Sequence, residues 1–345
     1  MDSAVSLVVI GRNEGDRLRR CLTSLPRSSG PIVYVDSGSS DGSALMARSM
    51  GIEAIDLDAA IPFTAARARN AGFERLLEIC PEMQFVQFVD GDCEIDAGWI
   101  EQAQAFLLEH PRVAVVGGRL RERFPEASIY NRLCDLEWNT PLGESAWCGG
   151  NTMMRAESLR EVGGFNPALI AGEEPEMCVR LREKGWTIYR IDADVALHDA
   201  DMHRFGQWWR RAMRTGYAFA EGAHLHDGSP ERYCVREVRS GWLWGLAIPV
   251  EALAAAWPTR GLSLLVAIAL YGVLFAKVWR HACRSGLAKG KPVAIYAWFA
   301  MLGKFPQAMG QLRYCILRWR GRKSALIEYK SMVPSPPVLR GKGLG

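Results

Sequence analysis

The chain has 345 residues, 49% hydrophobic and 23% charged, which is too long for one average domain and implies a large globular domain with an appendage. A net charge of +4, with no basic patch interleaved with aromatics, excludes a nucleic-acid-binding protein. Nine cysteines without a C-x-x-C pair or zinc spacing point to reduced thiols in a cytosolic compartment, and no signal-peptide pattern opens the chain.

Strand and helix signals alternate through the first half. Val5 to Ile10 is a short β-branched run, and Asp16 to Leu25 places Leu18, Cys21, Leu22 and Leu25 on one helical face. Pro31 to Asp36 reads as a second strand, ended by a turn-rich segment, Ser37 to Ser43, that opens a helix. Gly51 to Leu57, Thr64 to Glu78 and Phe85 to Val89 continue as strand, helix and strand. Val113 to Arg119, Asn151 to Arg155 and Trp186 to Ile191 are further strands, the first two expected to flank the sheet; Leu159 to Gly164 and Pro175 to Lys184 are helical. This order predicts a mostly parallel α/β sheet, with Ser37–Asp41 and Asp90–Asp92 on one rim beyond the carboxyl ends of the strands.

Two acidic clusters sit at such ends. Asp90-Gly91-Asp92 ends the fourth strand, and Glu173-Glu174 opens a helix after Gly163-Gly164-Phe165. Carboxylates at a strand end suit a hard divalent cation, and a second acidic site can take a proton. The plain alternatives are a solvated turn for the first and a helix dipole favouring acids for the second.

Gly11-Arg12-Asn13-Glu14, Val35 to Ser43, Ala68-Arg69-Asn70-Ala71-Gly72, Asp90-Gly91-Asp92, Gly149-Gly150-Asn151, Gly163-Gly164-Phe165 and Gly172-Glu173-Glu174 occur in that order over residues 5–200. In this the chain resembles the family 2 inverting glycosyltransferases, of bacterial envelope or exopolysaccharide type. The resemblance implies a GT-A nucleotide-sugar-binding sheet flanked by helices. It also implies that Asp90 meets the ribose of a nucleotide-sugar donor while Asp92 ligates Mn²⁺ or Mg²⁺. Arg12, Glu14, Asp36 and Asp41 then belong to the nucleotide site. For Arg12 and Glu14 a solvated loop pair competes, and for Asp41 a helix cap. Glu174 becomes the base that deprotonates the acceptor hydroxyl, with Glu173 orienting it. His198 is a further metal ligand or a surface histidine. Trp147, Gly149, Gly150 and Asn151 line the acceptor side, although a core tryptophan also fits Trp147. Arg210 and Arg211, in Gln207-Trp208-Trp209-Arg210-Arg211, become substrate-side arginines or part of an amphipathic interfacial helix. The chain departs from the family twice, with Ser37 where a second acid is common and Glu174 where Asp is usual.

Eight of the twelve tryptophans lie after residue 200, and long apolar runs begin only at Trp242, which signals a change of solvent. Trp242 to Trp257, Leu262 to Ala276 and Val293 to Leu302 each fall short of the roughly 20 residues that span a bilayer. Basic flanks at Arg236, Arg239 and residues 277–291 would keep both ends cytoplasmic, and a hairpin turning at Pro258 to Gly261 is expected to associate with the membrane. Interfacial helices lying flat, or a soluble helical dimer module, are the alternatives. The expected division is a GT-A domain over 1–230, a membrane-associated helical region over 231–330 and a flexible tail over 331–345. The expected activity is inverting sugar transfer to a lipid-linked or other glycan acceptor at the cytoplasmic face of the plasma membrane. A sugar nucleotidyltransferase would want a glycine-rich basic loop after the first strand, and Gly11-Arg12-Asn13-Glu14 has one glycine. A non-catalytic nucleotide-sugar-binding scaffold is the reading that Ser37 and Glu174 keep open.

Overall fold

The computed structural model describes residues 5–26, 30–285 and 290–322. The expected tail 331–345, the segment 323–330 and Lys289 lie outside the described residues. The chain forms one mixed sheet from β1 (Val5–Gly11), β2 (Ile32–Asp36), β3 (Glu53–Asp56), β4 (Phe85–Asp90), β5 (Cys93–Ile95), β6 (Val113–Glu122), β7 (Gly143–Ser145), β8 (Met153–Arg155) and β9 (Thr187–His198). The strand order is 3-2-1-4-8-6-9-5, with β7 on β9.

Strands 3-2-1-4 are parallel, as the alternating pattern predicts. The expectation of a mostly parallel sheet stops there, because β8 is inserted antiparallel between β4 and β6. The strands around residues 115 and 153 therefore sit inside the sheet rather than flanking it. β9 also runs past Ile191 to His198, held by parallel pairing to β6 and antiparallel pairing to β5 and β7.

The sheet is buried on both faces. Leu7, Val9, Phe85 and Val89 join a cluster with α1 (Asp16–Ser24) and α4 (Trp99–Glu109), while Val8, Val33, Val35 and Phe88 join one with α3 (Ala65–Ile79) and α7 (Glu173–Glu183). Alternate residues of each strand thus serve opposite cores. α2 (Ser43–Ser49), α5 (Ile129–Glu137) and α6 (Ala156–Glu161) complete the layers. Register sets Gly11 opposite Asp36 and Ile10 opposite Asp90, so these two acids flank the end of β1 on one rim.

The rest of the chain is helical: α8 (Phe205–Leu225), α9 (Val235–Trp242), a π-helical turn (Leu243–Ala247), α10 (Ile248–Ala254), α11 (Leu262–Arg284), α12 (Lys291–Leu302) and α13 (Lys304–Trp319). α9 through α10 and then α11 make the expected hairpin, turning at residues 255–261. α11 is 23 residues long, with a mean hydropathy of 2.1 over its most apolar stretch. It is thus long and apolar enough by composition to cross a bilayer, and longer than its apolar run suggests. α13 packs on α8 where Gly310 and Gly216 leave no room for a side chain: a Cβ at either would collide with the facing backbone.

Candidate active site

The rim is organised by a residue of α3. Thr64 caps that helix, its hydroxyl accepting from the Arg67 amide at 3.1 Å. Gly72 lets the helix press onto the sheet, since a Cβ there would collide with Val8. Arg69, nearly one turn earlier, is thereby carried over the strand ends with only 3% of its surface exposed. Its guanidinium meets Asp90 at 2.9 Å, Glu173 at 2.7 Å and Glu174 at 3.0 Å. One buried cation therefore binds three carboxylates. Burial opposes its charge, but Glu174, Asp90 and Glu173 outweigh that and keep it protonated. The surplus of negative charge falls on Glu174. Burial first, and the neighbouring Glu173 second, push its carboxyl up to about 7 against the pull of Arg69.

Asp90 is also locked from the other side. The Asn151 amide nitrogen donates to its carboxylate at 3.1 Å, and the Asp90 backbone N–H donates to the Asn151 oxygen at 3.0 Å. Gly150 makes this approach feasible, because a Cβ there would run into Arg69 and Asp90. Asn70 grips Phe165 in a reciprocal pair of 2.7 and 2.9 Å, and Gly164, at φ 74°, leaves space for its side chain. Phe165 then stacks edge-on against Phe88 beneath the guanidinium. The motif containing Arg69 and Asn70 is visible in the sequence, but neither residue was assigned a role there. An arginine among apolar residues, one turn before a glycine, is the signal that marks it.

Asp92 and His198 converge next to this cluster. Pairing of β5 with β9 sets Cys93 opposite His198, and the imidazole Nε2 lies 3.3 Å from the Asp92 carboxylate. Both side chains are buried, and the imidazole packs edge-on to Trp138. His198 Nδ1 makes no hydrogen bond among the described residues, the Glu122 carboxylate standing 3.6 Å away. A carboxylate oxygen and an imidazole nitrogen side by side fit a hard or borderline divalent cation. The Cys93 thiol is adjacent and donates to the Asp92 carboxylate at 3.6 Å, but a soft sulfur suits a hard ion poorly.

On the β1–β2 side the expected nucleotide residues are each engaged by neighbours in the loops after the strands. Asp36 accepts from the Tyr34 hydroxyl at 2.8 Å and the Ser39 amide at 2.7 Å. Asp41 accepts from the Ser43 amide and hydroxyl at 3.0 and 2.6 Å, and from the Gly15 amide at 3.0 Å. It thus holds the first residue of α2 from one position before the N-cap, which is Gly42 rather than the expected Asp41, and ties that helix to the loop after β1. Asn13, at φ 55°, joins the same two loops through Ser39 and Ser40. Glu14 pairs with Arg17 at 2.9 Å, and the Arg12 guanidinium lies 5.4 Å from the centre of the Phe63 ring.

The profile of glycosyl transferase family 2 matches residues 6–163, and that of glycosyl transferase family group 2 matches residues 86–300, more than half of the chain. The chain belongs to the family 2 glycosyltransferases. The glycosyltransferase AglE of Haloferax volcanii is 24% identical over 225 residues, 61% of this chain and 71% of that protein. The pre-mycofactocin glycosyltransferase of Mycobacterium tuberculosis is 28% identical over 211 residues, 56% of this chain but only 42% of that protein. Among solved structures, the mannosyltransferase PcManGT of Pyrobaculum calidifontis, in complex with GDP-Man and Mn²⁺, superposes with a TM-score of 0.58 at 19% identity. It covers 90% of this chain and 88% of that one, and it establishes the GT-A fold.

Within this glycosyltransferase the remaining expected site residues separate. Trp147, half-exposed, and Gly149 line an open cleft beside Asn151. Arg211 is engaged by Glu137 at 2.6 Å, and Arg210 is exposed on α8.

Proposed function

We propose that the enzyme moves a sugar from a nucleoside-diphosphate donor to an acceptor hydroxyl with inversion. Glu174 takes the hydroxyl proton, the freed oxygen attacks the anomeric carbon, and the bond to the diphosphate breaks in the same displacement. The observation that carries this reading is the Arg69 bridge, which sets a carboxyl titrating near neutrality beside the donor-side Asp90. Arg69 and Asn151 orient Asp90 towards the ribose, and Glu173 holds Arg69 in place. Asp92 and His198 are the residues to hold a divalent cation, which neutralises the charge gathering on the leaving diphosphate when bound. Asp36 and Asp41 order the loops over which the nucleotide lies, with Arg12 at their edge.

The membrane reading rests on the hairpin. A 23-residue helix is about 35 Å long, enough for a hydrocarbon core of about 30 Å. Leu265, Ile268 and Val273 face outward along it, and Lys277, Arg280 and Arg284 follow its apolar stretch. The proposed division is a catalytic domain up to residue 230 and a membrane-associated region beyond, at the cytoplasmic face of the plasma membrane. A lipid-linked glycan of an envelope polymer suits an enzyme held there.

Release of nucleotide from UDP-, GDP- and dTDP-sugars, with Mn²⁺ or Mg²⁺ and a membrane lipid extract as acceptor, tests the chemistry. One donor should give metal-dependent release. Asp92→Asn should lose most of it, and Glu174→Gln should lower kcat by about 10²–10⁴-fold. Absence of release from every donor would overturn the reading in favour of a binding scaffold.

A further inference from the structure

Beyond Asn151 the rim opens into a shallow cleft lined among others by Trp138, Trp147, Gly117, Gly118 and Arg190. It lies over β6, β8 and β9, across β4 from the strands that carry Asp36 and the nucleotide loops. Arg190 belongs to β9, two residues after Ile188, which joins the core beside Met177 and Cys178. At Arg190 the strand pairing becomes irregular: β6 advances from Gly117 to Arg119 while β9 advances from Arg190 to Asp194. Bulges of this kind re-aim side chains and are common beside active sites.

Only 8% of Arg190 is exposed, yet its guanidinium makes no hydrogen bond or ion pair with any described residue, and its Nε is sealed from solvent. The charged groups around it are Arg119, Asp192 and Asp194. Arg119 is taken by Asp135 at 3.0 Å and Asp194 by Arg121 at 2.8 Å, while Asp192 is exposed and makes no ion pair. The terminal nitrogens reach solvent while Nε is sealed without a partner, which is costly, and burial together with Arg119 lowers the pKa of the group. Groups of this kind are kept where a ligand completes them. The planar fork matches a carboxylate or phosphate in bidentate fashion, and tryptophan faces suit the apolar side of a sugar ring.

We propose that Arg190 anchors an acidic-sugar subsite, binding the carboxylate of a uronic acid or the phosphate of a phosphorylated sugar on the acceptor while Trp138 and Trp147 contact its ring. The assignment rests on the sugar-transfer reading for the acceptor, but the binding itself does not require turnover.

Tryptophan fluorescence of the full chain in detergent micelles reads the cleft directly. Titration with methyl β-glucuronide or glucose 6-phosphate should saturate at least tenfold tighter than titration with neutral methyl β-glucoside. The acid that saturates tells carboxylate from phosphate. Arg190→Gln should abolish that preference, and Arg190→Lys, which keeps the charge if the amide variant does not fold, should retain part of it. Equal response to charged and neutral sugars in the wild type, or a preference unchanged in the correctly folded variants, would overturn the proposal. Metal-dependent nucleotide release measured on the same preparation keeps the two readings apart. Release without acid preference sinks the subsite alone, and acid preference without release sinks the transfer chemistry alone.

Discussion

Around Arg69 three carboxylates share one buried guanidinium, Asp90 alone facing solvent with a third of its side chain, whereas along α11 the side chains of Leu262, Leu265, Val266 and Ile268 stand on the outside. The first region concentrates charge where the dielectric is low, so each group fixes the protonation and position of the next. The second leaves apolar surface uncovered and joins its helices to α8 and α13 through glycines, backbone against backbone, at Gly216, Gly245 and Gly310. That is the packing rule of a solvent that gives no hydrophobic reward for burial. The two halves of the chain are built for different media, and single substitutions should have opposite costs in them.

The largest expected effect is in the sheet. Arg69→Leu leaves Asp90, Glu173 and Glu174 without their cation and should destabilise the catalytic domain by about 3–5 kcal/mol, read by denaturant unfolding. A loss under 1 kcal/mol would mean that the cluster is hydrated and the contrast overstated. In the helices, Ile268→Arg sits at an exposed position and should leave stability in detergent within about 0.5 kcal/mol of wild type. In liposomes the same change should weaken insertion by about 2.5–3.5 kcal/mol, measured by flotation or alkaline extraction. A large loss in detergent would instead point to a buried helix in a protein assembly.

The smallest effect sharpens the sheet side. Glu174 titrates near 7 in the folded protein against 4.5 for the free group, so the carboxylate that accepts a proton is the minor form below that pH. kcat/KM should therefore fall about tenfold per pH unit on the acid side of 7 and level off above it. The same shift acts on stability in the reverse direction. The folded state holds this proton more tightly than the unfolded chain, so its contribution is present below about 4.5 and is lost as pH rises through about 7. Glu174→Gln should remove that slope from a plot of unfolding free energy against pH.

The parallel half was legible because β1, β2 and β4 are short, mostly apolar runs, the last two ending in Asp36 and Asp90, and buried strands carry that pattern wherever they occur. The two acidic clusters were legible for the same reason. β8 was legible as a strand but not as an insertion, since three ladder residues do not encode their neighbours. β9 outran its expected end because its apolar run stops at Ile191, while the irregular pairing with β6 carries Asp192 and Asp194 on within the strand. α13 lies inside the helical region expected over 231–330 but was not marked out within it: Pro306 and Gly310 are poor helix formers in isolation, and packing against α8 and α9 recovers their cost. Arg69 was read as one letter of a motif, because the three acids it joins are separated from it by 21 to 105 residues.

The glycine pair before Asn151 divides the rim into a part that can vary and a part that cannot. Gly149 has nothing within 4 Å of where a Cβ would stand, while Gly150 is pinned between Arg69 and Asp90. A library randomised at Trp147 and Gly149, with Cys148 kept because it is buried against Cys178 of the helix that carries the base, therefore has room to explore new acceptors, and one that reaches Gly150 loses the reaction together with the old specificity.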